Sequence, residues 1–457
     1  MSTLRDAAPS TAGPLDADPA VARFQQLLRV PTMSRTNPSE TDWPVFTRFR
    51  ELLAELYPLA HAGLELELVA GHSMLFRWRG TTDAAPLVLM AHYDVVAATA
   101  EGWRHPPFDA VVEGDGAERV LWARGALDDK AALVAILEAV EAELATGLTP
   151  SRDVYLSFGH DEETHGSGAQ AAAALLAERG IRPALVLDEG GAIVSGVLPG
   201  LARPSAMIGV SEKGITSLAL AVQQQGGHAS TPPKMTATVR LARAIVRLNA
   251  RPFPTAINPA IAEMLRIVGA HSSGPLAAVF RRPRLFGPVL RLVFARMSDE
   301  TNALVRTTTA VTQLSGSMAH NALAERAEAI VNVRVAVGSS IAETVEHVRR
   351  AIADPLVQVS VHQSSEPSPV SPMSGPAWQS IVDAVSAIDA EVLSTPYVQT
   401  GASDSRWFTG VSDAVYRFTP FEMSAEERAT LHAKDERIHV ATWLRGIDFY
   451  RHLIAGR

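Results

Sequence analysis

The sequence predicts an α/β fold, on two observations. In the first half of the chain, short apolar runs alternate with stretches of helical spacing, and each run ends on histidine or carboxylate. Strand, helix, strand in this order implies parallel strands joined by crossover helices.

The apolar runs are Pro86–Met90, Arg119–Ala123, Asp153–Gly159 and Ala184–Leu187. Each has the length of a buried strand. From Lys130 to Leu144 the positions Ala132, Leu133, Ile136, Leu137 and Val140 recur at helical spacing. A second helix is expected over Ala169–Arg179, stopping at Gly180, a C-terminal signal. Two Pro-rich stretches come next, Val197–Ala206 and Ser364–Pro376. Between them strands are expected at Ser217–Gln225, Arg326–Gly338 and Val357–His362, with helices at Thr236–Asn249 and Ile341–Ile352. This reads as a small α+β layer inserted into the α/β domain. The expected division is residues 1–203, 204–370 and 371–457, the first and last forming one domain.

Composition narrows the function. The chain has 457 residues, 47% hydrophobic and 20% charged, which suits two or three globular domains. A formal net charge of -8 disfavours nucleic acid as a partner. There is no cysteine, so any metal must sit on oxygen and nitrogen ligands. The opening segment, read as a polar tail, lacks the apolar core of a signal peptide. No apolar run reaches membrane-spanning length. A cytoplasmic protein with no transmembrane segment is expected.

The chemistry lies in the residues at the end of each strand. The first strand runs into Ala91-His92-Tyr93-Asp94 and the second into Gly125-Ala126-Leu127-Asp128-Asp129-Lys130. The third runs into His160-Asp161-Glu162-Glu163-Thr164-His165-Gly166, and the fourth into Asp188-Glu189-Gly190-Gly191. Ligands of open α/β sheets bind outside the carboxyl ends of the strands. Carboxylates crowded there would be driven up in pKa unless cations compensate. Two divalent ions roughly 3.5–4 Å apart, sharing one carboxylate, are such cations. Histidine with carboxylate and no sulfur suits zinc, cobalt or manganese. Asp94, two residues after His92, projects to the same side of an extended chain and can orient its imidazole. The two histidines of HDEETH are five apart, so this is not the helical His-x-x-x-His of zincins.

These elements resemble those of the co-catalytic zinc peptidases that include carboxypeptidase S, glutamate carboxypeptidase, acetylornithine deacetylase and aminoacylase. The resemblance runs from about Val21 to the end. It implies a zinc-peptidase-like catalytic domain with a central mixed sheet, an inserted lid domain of the dimerisation type, and two metal ions per chain. AHYDVV matches the family's H-x-D element, making His92 a ligand and Asp94 its partner in catalysis. GALDDK makes Asp128 the bridging ligand. DEETHGSG makes Glu162 the general base and Glu163 a ligand, and LDEGG makes Asp188 a ligand. LHAKDERI supplies the last ligand, His432, reading Lys-Asp-Glu where the family often has Gly-Asn-Glu; His439 is the alternative. In the insert, GGHASTPP places His228 on the substrate, and HNALAERAEAIVNVRV offers Asn321 and Arg334 to a substrate carboxylate. GASDSRWF resembles a glycine-rich substrate loop beginning at Gly401.

The resemblance implies metal-assisted hydrolysis of the amide bond of a C-terminal amino acid or an N-acyl amino acid. A short-chain deacetylase, or an aminopeptidase or dipeptidase, is the alternative. A homodimer through the lid, with His228 serving the neighbouring site, is also implied. The stretch Ala250–Val305 exceeds compact lids and places the chain nearest the carboxypeptidase S and N-acyl amino acid hydrolase branch. Within it, apolar residues mix with Arg281, Arg282, Arg284, Arg291 and Arg296. That stretch reads as lid packing or a dimer contact first, and as a binder of a membrane surface or acyl tail second.

Overall fold

The structure is a computed structural model that describes residues 17–196, 201 and 203–456. The polar N-terminal segment before Ala17 and half of the Pro-rich stretch that begins at Val197 lie outside the described residues. The chain forms two units. One comprises the described residues up to Val210, then Ser371–Pro396 and Ser403 onward; the other comprises Ser211–Val370 and Tyr397–Ala402. The first division falls at 210/211 rather than 203/204 because the strand Ser205–Glu212 pairs with strands of the first unit's sheet.

That sheet has eight strands and is mixed. Its centre is parallel: Val154–Gly159 lies beside Leu87–His92, then Leu185–Val194, then Val415–Glu422. Leu87–His92 and Val154–Gly159 are buried along their whole length, as expected of parallel strands covered on both faces. The antiparallel pair Glu65–Val69 and Ser73–Trp78 extends one edge. Of the four apolar runs, three enter this parallel core. The run at Arg119–Ala123 does not. Its strand, Val120–Trp122, sits between Arg437–His439 and Val111–Glu113 in a separate three-stranded antiparallel sheet. An apolar run specifies a buried strand without naming its partner, and here the partner lies near the C-terminus.

The helix Lys130–Ala145 is apolar on nearly every side and buried throughout its first three turns. The C-terminal helix Val440–Ala455 packs on it, and Trp443 Nε1 donates to Ala131 O at 3.1 Å. Trp443 also stacks on Phe24 at 4.7 Å between ring centres.

The second unit is a four-stranded antiparallel sheet in the order Thr308–Ser315, Arg326–Val335, Gly214–Gln223, Gln358–Ser365. Arg326–Val335 alternates strictly, with Ala327, Ala329, Val331, Val333 and Val335 buried. Those side chains meet Leu241 and Leu248 of the helix Ala237–Asn249, and Val345 and Val348 of the helix Ile341–Ile352. Both helices begin at hydroxyl caps, Thr236 and Ser340, the latter closing a capping box with Glu343. Among the described residues no helix is long and apolar enough to cross a membrane.

Candidate active site

Three neighbouring parallel strands bring the site together at one sheet edge. His92 is the last residue of its strand, Glu162 and Glu163 come just after the next, and Asp188 and Glu189 lie within the third. Asp94 is fully buried and organises two of these elements. Its carboxylate accepts the backbone N–H of Glu162 at 3.1 Å and of Glu163 at 3.2 Å. Its own carbonyl oxygen lies 3.0 Å from His92 Nδ1, which leaves Nε2 directed into the cluster. The turn after Glu163 is tied down by Asp161, which accepts from the N–H groups of Ser167 and Gly168 at 2.9 and 3.0 Å. Gly166 must be glycine there: its φ is +66°, and a Cβ would lie 2.3 Å from Asp404 Oδ1. The paired glycines after Glu189 have a similar cause. A Cβ on Gly191 would lie 1.7 Å from Met207 O of the adjoining strand.

Asp128 is the hub. His92 Nε2 lies 3.0 Å from its Oδ1 and His432 Nε2 lies 2.9 Å from its Oδ2. His432 Nε2 is also 3.1 Å from Glu163 Oε2, and His92 Nε2 is 3.5 Å from Glu189 Oε1. Two donor triplets result, His92 with Asp128 and Glu189, and Asp128 with Glu163 and His432. They share Asp128. Of the residues that the sequence proposes as ligands, His92, Asp128, Glu163 and His432 are brought together. Asp188 is not in either triplet. Its buried carboxylate accepts the N–H of Ser405 at 2.7 Å, and the next residue, Glu189, stands beside His92. His439 lies elsewhere, 3.6 Å from Glu427.

The electrostatics are those of a cluster built for cations. Burial, then the charge of Asp128, pushes the Glu189 carboxyl up to about 8. Burial, then the charge of Glu189, holds Glu162 well above the usual carboxylate range. Hydrogen bonds to Asp128 and Glu163 raise His432 to about 10. Glu163 Oε1 is buried without a hydrogen-bond partner. Nitrogen and oxygen donors in two triplets around a shared carboxylate fit a pair of divalent ions, which would supply the missing positive charge.

One residue that sequence reasoning does not single out is structurally central. Glu436 is fully buried, and its Oε1 accepts the N–H groups of Leu127 and Asp128 at 2.8 and 3.1 Å. Its Oε2 receives Arg124 Nη1 at 2.5 Å, and Arg124 Nη2 donates to Ala433 O at 2.9 Å. This pair clamps the loop bearing His432 onto the loop bearing Asp128. His432 and Asp435 in that loop have φ of 58° and 61°, a left-handed conformation that non-glycine residues adopt only when surroundings impose it. Glu436→Ala leaves the Arg124 guanidinium buried and unpaired, an expected cost of about 3–5 kcal/mol. Chemical denaturation with metal chelated should show that loss, and Arg124→Met on the same background should recover part of it. An unchanged unfolding midpoint in Glu436→Ala would dismiss the clamp.

The substrate residues proposed from sequence, His228, Asn321, Arg334 and Gly401, all fall in the second unit. His228 and Asn321 are neighbours. The short strand Gly227–His228 pairs with Ala322–Leu323, and the N–H of Ala229 donates to Asn321 O at 2.9 Å. His228 is exposed, and its Nδ1 accepts the N–H of Ser230 at 3.1 Å. With that lone pair engaged, the neutral ring carries its proton on Nε2 and offers it as a donor. Arg334 is half-buried, and burial lowers its pKa. Lys213 lies close by, with Nζ donating to Ala303 O at 3.0 Å and Arg306 O at 2.8 Å. Burial, then Arg334, lowers Lys213 to about 8 from 10.5. The unfolded chain therefore holds this proton between pH 8 and 10.5 where the folded chain releases it, so this lysine's cost to stability is full below pH 8 and relieved as pH rises to 10.5. Lys213→Met should remove that rise, seen as the difference between the two proteins' thermal midpoints across this window.

The fold and the donor cluster are those of a protein that can hold metal at one sheet edge, and the family match makes it a metal-dependent hydrolase of amide bonds. Residues 88–456 match Peptidase family M20/M25/M40, and the chain belongs to that family. It is 34% identical over 434 residues to N-fatty-acyl-amino acid synthase/hydrolase PM20D1 of Homo sapiens, covering 93% of this chain and 85% of that protein. It is 32% identical over 444 residues to probable carboxypeptidase S-like 2 of Dictyostelium discoideum, covering 94% and 84%. Its fold matches that of the M20 family metallo-carboxypeptidase Sso-CP2 from Sulfolobus solfataricus with a TM-score of 0.69 at 16% identity, covering 96% of this chain and 99% of that one. Human carnosine dipeptidase 1 matches with a TM-score of 0.64 at 13% identity, over 96% and 97%.

Proposed function

We propose that the protein hydrolyses N-acyl amino acids at a site holding two divalent ions. The observation that carries this reading is the shared Asp128, each of whose oxygens faces one histidine. One ion would take His92, Asp128 and Glu189, the other Asp128, Glu163 and His432, with zinc the expected metal and cobalt or manganese able to replace it. Bound there, the ions would polarise the scissile carbonyl and make water acidic enough to attack near neutral pH. Glu162 takes the proton of that water and returns it to the leaving nitrogen. Asp94 keeps Glu162 and Glu163 in place through their backbone N–H groups. His228 donates from Nε2 to the carbonyl oxygen as it gains charge, with the lid of a second copy as its source in a homodimer. Asn321 and the glycine-rich loop at Gly401 line the substrate.

Arg334 is proposed to receive the substrate carboxylate. In support, it lies near Lys213, and among the described residues neither cation has a carboxylate partner. A cationic pair of this kind favours a free carboxylate over an amide. The human relative's name, an N-fatty-acyl-amino acid synthase/hydrolase, points to a long acyl group. The test is a panel of N-acyl amino acids of increasing chain length, dipeptides and aminoacyl amides, assayed with zinc and after chelation. Long-chain N-acyl amino acids should have the highest kcat/KM, and Arg334→Met should raise KM for them far more than it lowers kcat. A preference for aminoacyl amides would overturn the carboxylate reading and favour an aminopeptidase.

A further inference from the structure

Between Glu263 and Asp299 the sequence contains six arginines and no acidic residue, in a chain of net charge -8. Most of this segment is helical, as Pro259–His271, Pro275–Phe280 and Gly287–Met297. The last of these helices is apolar on two sides. Leu290 and Phe294 are buried inward, while Val289, Leu292 and Val293 face solvent, 55%, 54% and 46% exposed. A helix apolar all round is ordinarily buried. The outward set, with Arg296, has i, i+3, i+4, i+7 spacing, so these four side chains share one face. Leu285, in the turn before the helix, is 67% exposed, and Leu276 and Met297 are also exposed.

Arg282, Arg284 and Arg296 are exposed on the same segment, and no carboxylate pairs with them among the described residues. Beside the apolar face a groove of about 260 Å³ is lined by Ile257, Ala262, Pro283, Arg284, Pro288 and Arg291. It presents two guanidinium groups next to apolar walls. Exposed apolar side chains rimmed by unpaired arginines make an interfacial surface: the apolar groups enter the acyl boundary while the guanidiniums meet lipid phosphates. The local positive charge within an acidic chain sets the choice of partner. A second copy of the same face would bring arginine against arginine.

We propose that this face docks the second unit onto anionic lipid membranes. The test is sedimentation of the whole protein with vesicles of phosphatidylcholine containing phosphatidylglycerol, against vesicles of phosphatidylcholine alone. Binding is expected on the anionic vesicles, falling as salt is raised. Arg282→Ala with Arg284→Ala should weaken it roughly 25-fold, on the order of fivefold for each charge. Leu292→Ser with Val293→Ser should weaken it as well, through lost apolar burial. Both pairs of substitutions are on exposed positions, and unchanged thermal unfolding shows that the fold survives. Neither readout depends on the hydrolytic activity. Failure to sediment with anionic vesicles at low salt overturns the proposal, and so does undiminished binding by both variants. Sedimentation velocity supplies the competing outcome. A dimer that Leu292→Ser with Val293→Ser converts to monomers would show that a second copy, not lipid, covers this face.

Discussion

Glu162→Gln is expected to retain its metals and lose turnover by at least ~10²–10⁴, the range for one general base. The glutamine keeps the side-chain length and the backbone N–H that Asp94 holds, so the turn carrying Glu163 stays in place. The variant lacks only the acceptor for the water's proton. Metal analysis alongside steady-state kinetics distinguishes this from ligand loss. Near-normal kcat with full metal content would place the base elsewhere.

The second large effect separates two adjacent acids. Glu189→Ala is expected to weaken binding of one ion by more than ~100-fold, beyond the 10–100-fold typical of residues that only support a ligand. Asp188→Asn is expected to keep both ions, because an amide oxygen can still accept the N–H of Ser405. Titration with a buffered zinc series reads both variants directly. If Asp188→Asn loses an ion while Glu189→Ala keeps two, the assignment drawn from sequence is the right one.

That contrast shows where sequence reasoning stops. His92 and the Glu162–Glu163 pair are legible because each ends an apolar run whose partner strands are close in the chain, and Asp128 because it comes soon after such a run. Asp188 and Glu189 are consecutive in a strand; Glu189 stands beside His92, while the Asp188 carboxylate accepts the N–H of Ser405. The resemblance assigns Asp188, and nothing in the motif itself points to Glu189 beside it. Glu436 is hidden for another reason: its role depends on Arg124, a residue with no sequence signal linking the two. The run Arg119–Ala123 misleads in the same way, since its strand pairs with Arg437–His439 rather than with the parallel core. Within the second unit, period and caps place the strands and helices closely, because that layer alternates cleanly and pairs mostly with its own neighbours. The paired edge strands at 65–78 escape a reading based on apolar runs, because the first of them is almost wholly exposed.

The clamp between Arg124 and Glu436 joins positions 312 residues apart. At roughly 5–20 residues per second, a ribosome needs on the order of 15–60 s to pass from one to the other. For most of that interval the nascent chain already carries His92, Asp128, Glu162, Glu163 and Glu189 but lacks His432 and the glutamate that seats its loop. The acidic part of the centre thus waits for a segment made long afterwards, and a chain cut short before His432 would carry most of its ligands and no closed site.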